Sequence, residues 1–182
     1  MPIFARTKLV IHDYCLEIPG SPLPGKRTLT LEYSGPNPQA AYYQARKIIS
    51  SIFKVPESDV IEKDFRSEKK GDEEVFEVTF DIIKDMDRFS FLQISLKMKG
   101  KTRPSKEFGK EGELSLEIDG YLRTEYPQDT LWQRSLIYEM FRAFYHKVIY
   151  ESTREKYRKE CANLMYQLWS QLKEFLNLLP RR

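Results

Sequence analysis

Apolar and polar residues mostly alternate at the start of the chain. From Ile3 to Ile11 the apolar positions Ile3, Ala5, Leu9 and Ile11 fall on one side, with Arg6, Lys8 and His12 on the other, which predicts a first strand. The segment "IPGSPLPGKR" follows, and its prolines and glycines predict a turn or extended loop. In "RTLTLEYSG" Leu29, Leu31 and Tyr33 share one face and Thr28, Thr30 and Glu32 the other, a second, half-buried strand. The period then changes. "GPNPQAAYYQARKIISSIF" offers Asn37 as an N-terminal cap and Pro38 at the first helical position, where a missing N–H costs nothing. Tyr42, Ala45, Ile48, Ile49, Ile52 and Phe53 give that helix an apolar stripe, and "VPESD" ends it.

Four strands are predicted next. "DVIEKDFRSE" turns through "KKGDEE" into "VFEVTFDII", with Phe76, Val78, Phe80 and Ile82 inward. "FSFLQISLKMK" places Leu92, Ile94, Leu96 and Met98 on one face, and "GELSLEIDGYL" does so with Leu114, Leu116, Ile118 and Leu122. Short links between these runs imply hairpins, so the sheet is expected to be antiparallel with one apolar and one wetted face. After "YPQDT", where Asp129 or Thr130 can cap, helical spacing returns from Leu131 to Tyr150 with Trp132, Leu136, Met140 and Phe144, and Ile137, Phe141, Tyr145 and Val148 beside them. A second helical run carries Tyr157, Cys161, Leu164, Leu168, Leu172, Phe175 and Leu179 and ends at "PRR"; the pattern leaves open whether the two runs form one kinked rod or a hairpin.

Amphipathic helices must cover the apolar face of such a sheet, so the expected fold is a single two-layer α+β domain over residues 1–182, sheet-rich through residue 130 and helical over residues 131–182. The order of strand, helix, antiparallel strands and long helix over residues 27–150 resembles the helix-grip arrangement of the START-like ligand-binding superfamily. An extra N-terminal strand, a second C-terminal helix and fewer strands depart from it. The resemblance implies a sheet curled around a long helix, with an apolar cavity for a lipid, hormone or polyketide between them.

Composition narrows the chemistry. The chain has 182 residues, 41% apolar, 13% aromatic and 31% charged, with a net charge of +3, which describes a folded chain with a sizeable core. A Lys- and Glu-rich surface also suits heat adaptation. Cys15 and Cys161 belong to no metal-ligand spacing, so they read as free thiols in a reducing compartment. Neither a secretory leader nor a long uncharged apolar run is seen, and the expected location is cytoplasmic, with no membrane span. The stretch "HDYC" gathers reactive side chain types at residues 12–15, but on a strand His12 and Cys15 point to opposite faces, whereas His12 and Tyr14 share one. His146 is the other histidine, in an unrelated element, and no P-loop, HExxH, GxSxG or dinucleotide-binding glycine motif occurs. Outward carboxylates such as Glu117 and Asp119 read as a solvated strand face. No catalytic residue, metal or cofactor is therefore assigned.

Charge and aromatic residues suggest three kinds of binding. An apolar or amphipathic small ligand held between sheet and long helix is expected to touch Phe80, Leu96, Leu116, Trp132, Met140 and Phe144. A homo-oligomeric assembly or adaptor protein would instead use its C-terminal helices, with Leu164, Leu168, Leu172, Phe175 and Leu179 at the interface. Finally, residues 97–110 hold six basic side chains against Glu107, a net of +5, so Lys97, Lys99, Lys101, Arg103 and Lys106 can contact phosphates or an acidic partner, as in a nucleic-acid- or ribosome-associated factor. Residues 57–87 hold twelve acidic side chains against five basic ones, a net of −7, and the two poles can pair between copies.

Overall fold

The computed structural model describes residues 10–16, 28–106, 109–126 and 130–178. It is an α+β fold in which one antiparallel sheet packs against helices. Its strands are β1 (Val10–Tyr14), β2 (Leu29–Pro36), β3 (Val60–Lys70), β4 (Glu73–Asp85), β5 (Ser90–Ser105) and β6 (Gly109–Glu125). Strands β3 to β6 form a meander, and both β1 and β2 pair with β6, β1 at residues 121–125 and β2 at residues 111–118. Residues Ile3 to Leu9, the loop "PGSPLPGKR" beyond Ile18, Asp129 and Leu179 lie outside the described residues, as does Ile18 itself.

Side chains obey the alternation of the sequence. Phe76, Val78, Phe80 and Ile82 of β4, Leu92, Ile94, Leu96 and Met98 of β5, and Leu114, Leu116, Ile118 and Leu122 of β6 are all buried on one face. Two helices cover that face: α1 (Ala40–Phe53) and α3 (Glu151–Leu178), the latter lying over β6 and β2 and against α1. Helix α1 contributes Ala41, Ala45, Ile48, Ile49, Ile52 and Phe53 to the core, and α3 contributes Leu164, Met165, Leu168, Leu172 and Leu176. Gly112 of the β5–β6 hairpin lies where the backbones approach too closely for a side chain, because a Cβ there would fall 1.8 Å from the Lys101 carbonyl oxygen.

Helix α1 starts later than the capping pattern predicts. Asn37 is not the cap: its amide donates to the Lys110 carbonyl, it adopts φ 47°, and its own carbonyl accepts from Ala40 at 3.0 Å. The strand pairing therefore extends to Asn37, and the regular helix begins at Ala40. The cysteines are also not free. Cys15 and Cys161 are joined by a disulfide that ties the end of β1 to α3 across 146 residues of sequence. Alternation along β1 explains their meeting, since Asp13 and Cys15 both face α3, where Arg154 holds the Asp13 carboxylate with two bonds of 2.9 and 3.0 Å.

Between β6 and α3 the chain departs from a single long helix. Residues Trp132–Arg134 form a 3-10 turn, α2 spans Leu136–Phe144, and a π-helical turn over Tyr145–Ile149 leads through Tyr150 into α3. Thr130 and Gln133 cap the first turn reciprocally, each accepting the other's backbone amide, and the Ser135 hydroxyl accepts from Tyr138 at the start of α2. The helix that covers the sheet is α3, not the Leu131–Tyr150 segment that the sequence pattern places there. Helix α2 neither covers the sheet nor folds back along α3 as a hairpin.

Candidate docking surface

The segment from α2 through the π turn is amphipathic in the opposite sense to an ordinary surface helix. Facing the body of the protein are Arg142, His146 and Tyr150, spaced by four residues and all buried. Facing outward are Leu136 and Ile137, Met140 and Phe141, Phe144 and Tyr145, Val148 and Ile149, four neighbouring pairs at the same spacing. Leu131 and Trp132 extend this apolar surface at its start; Leu131, Trp132, Met140, Phe141 and Val148 are each at least 60% exposed. Large side chains of this kind carry roughly 150–250 Å² each, so the exposed patch is on the order of 1,000 Å². Scattered surface leucines need no explanation, but a contiguous apolar patch beyond a few hundred Å² marks a surface that something covers.

Polar bonds hold the inward face. His146 Nδ1 shares a 2.8 Å hydrogen bond with the Tyr126 hydroxyl, whose pKa is pushed up to about 12 by burial and the neighbouring Tyr145. Burial, reinforced by the Arg154 guanidinium, lowers the His146 pKa and favours the neutral ring. The Tyr150 hydroxyl lies 2.8 Å from Ser90 Oγ and donates to Asp87 at 2.5 Å, and burial together with that carboxylate raises its pKa. Burial opposes ionisation of Asp87, yet bonds from Tyr150, Tyr157 and the backbone amides of Phe89 and Ser90 outweigh it and hold its carboxyl below the usual range. Arg142 pairs with Glu139 and sits over the Tyr126 ring at 5.8 Å. The sequence pattern of this segment looks like a core-facing arc because it cannot show that its polar line is the one with partners.

The residues expected to line a ligand pocket do not converge. Phe80, Leu96 and Leu116 are buried in the core beneath the helices, whereas Trp132, Met140 and Phe144 project from the outward patch at 61%, 68% and 59% exposure. Clefts of about 320 and 700 Å³ lie beside β2, β4, β5 and β6 and are lined by none of these six, but by residues that include the charged Glu32, Glu113 and Lys101. Leu164, Leu168 and Leu172 are buried within the chain, and Phe175 packs against the same core, so this stripe is already covered by the protein's own sheet and α1.

Charge separation along the sequence becomes charge pairing in the sheet. Glu77 of β4 receives both Lys97 and Lys99 of β5, at 3.1 and 3.2 Å, and hydrogen bonds from these lysines lower its pKa. Arg103 pairs with Glu111 across the β5–β6 hairpin, and Lys110 with Glu74, whose pKa the bond lowers. Lys101 stands opposite Glu113 in the register, while Lys106 is exposed near the hairpin end. Among the described residues no group of three or more His, Cys, Asp or Glu side chains could hold a metal ion, and no helix is long and apolar enough to cross a membrane. No protein-family model and no curated protein sequence matches the chain.

Proposed function

We propose that this protein is a non-catalytic assembly or adaptor protein that docks a protein partner through the outward apolar face of α2 and its π turn. The observation that carries this reading is the inverted orientation of the segment: His146 and Tyr150 are spent on the protein's own polar network and Arg142 is buried against Glu139 and the Tyr126 ring, while the aromatic and aliphatic arc is left outside. Tyr, Trp, Phe and Met on such a face, with Lys147 the one exposed charge among residues 136–149, match the composition of protein interface cores. Charge on and beside the segment is sparse and mixed, with Lys147 exposed, Glu139 paired with Arg142, and Glu151 with Arg154, which suits a protein partner better than the polybasic face of a helix that lies on anionic lipid.

Sedimentation velocity of the full chain, alone and in extract of its source cells, tests the reading against Phe141→Glu/Phe144→Glu. Wild type is expected to sediment above its 21.6 kDa mass in at least one condition, and the variant as a monomer in both, with an unchanged circular dichroism spectrum. Identical sedimentation of the two proteins in both conditions removes the docking role.

A further inference from the structure

We infer that the partner on this face is a second copy of the chain, related by a two-fold axis that sets the two α2 segments antiparallel, with Ile137 of each copy opposite Val148 of the other and Phe141 opposite Phe144. This rests on the docking reading above and names its occupant. A patch on the order of 1,000 Å² matches the ~800 Å² that each partner contributes to a stable interface of standard size. Two-fold dimers require a self-complementary surface. The outward pairs 136/137, 140/141, 144/145 and 148/149 supply one, since reversing the segment about the midpoint between Arg142 and Ala143 maps each pair onto another pair. That places Phe141 and Phe144 at the centre, where binding energy concentrates, and aliphatic residues toward the ends. Direction follows from charge. Lys147 is the one charged residue between Leu136 and Ile149 that is exposed. Parallel packing about a two-fold axis sets the two Lys147 ammonium groups at the same level of the pair, whereas the antiparallel register sets them at opposite ends of it, apart from one another.

Purified Ile137→Cys and Val148→Cys proteins, each retaining the native disulfide, are oxidised separately and as a mixture, beside native mass spectra of wild type and Phe141→Glu. The expected result is a wild-type dimer, a loss of affinity of at least about 30-fold in Phe141→Glu, and a covalent dimer from the cysteine mixture but from neither protein alone. Self-linking of Ile137→Cys, or a dimer that the mixture does not link, overturns the antiparallel register while leaving the docking reading intact. Purified wild type that is monomeric, yet forms a Phe141-dependent complex in extract, overturns the second copy as partner. Monomers in both settings overturn the docking reading itself.

Discussion

His146 is where a single proton bears on the docking segment. Facing it are Tyr126 from the end of β6, Tyr150 after the π turn, Arg154 and Glu151 of α3, and Asp13 of β1. In the unfolded chain a histidine binds its proton near pH 6.5; in the folded protein burial and Arg154 lower that value. Between the two values the unfolded chain holds more protons, so stability must fall as pH falls, beginning near the unfolded pKa and levelling off below the folded one. Asp87, Glu74 and Glu77 act in a separate window: their lowered pKa values give stability that is complete above the unfolded carboxylate range near pH 4 and lost only below it. Chemical denaturation between about pH 7.5 and pH 5 is therefore expected to show declining stability in wild type, and a flatter profile in His146→Gln. Equal slopes in the two proteins would show that His146 does not sense the fold.

Among the elements, β1 is the most dependent on chemistry outside the sheet. It is a short edge strand of five residues, and its far anchors are Arg154 on Asp13 and the Cys15–Cys161 disulfide, both to α3. Gly120 lies under that junction: a Cβ there would come within 2.8 Å of Met165 Sδ and 3.6 Å of Cys161 Sγ, so helix and sheet approach closely where the disulfide joins them. A bridge across a chain segment of this length removes about 4–5 kcal/mol of unfolded-state entropy in the chain-entropy account. At about 2–4 °C per kcal/mol for a chain of this size, reduction is expected to lower the melting temperature by roughly 10 °C or more. Calorimetry with and without reductant checks this, and Cys161→Ala should melt with the reduced protein. A reductant-independent melting temperature would mean that the thiols are not bridged in solution. Stable disulfides are common in oxidising compartments and in the intracellular proteins of hyperthermophiles, and rare elsewhere. Cysteine spacing alone did not reveal it, because only the strand face of β1 and the helix face of α3, taken together, bring Cys15 to Cys161.

For the whole molecule, periodicity reads layers well and partners poorly. Alternation placed Phe80, Leu96 and Leu116 in the core because both faces of a strand are distinguished by composition alone. The charge poles misled for the opposite reason: Lys97 and Lys99 look unpaired until the β4–β5 register sets Glu77 between them. The two apolar helical arcs of the C-terminal third are equivalent on paper, yet α3 spends Leu164, Met165, Leu168, Leu172 and Leu176 on the core while α2 presents Met140, Phe141 and Phe144 to the outside. This asymmetry determines what truncation does. Reading α3 as the oligomer interface implies that deleting the residues after Arg154 leaves the sheet folded. The structure implies the reverse. Each of those five side chains contributes roughly 1.5–3 kcal/mol on burial, and together they rival the ~5–15 kcal/mol net stability of a whole domain. Deletion also removes Cys161 and bares the β6 face beneath it. The truncated chain is thus expected to lose near-ultraviolet circular dichroism and dispersed amide resonances, whereas Phe141→Glu, on the outward arc of α2, keeps both. A well-dispersed spectrum from the truncated chain would mean that α1 and the sheet close a core without α3, and that α3 is free to serve as an interface after all.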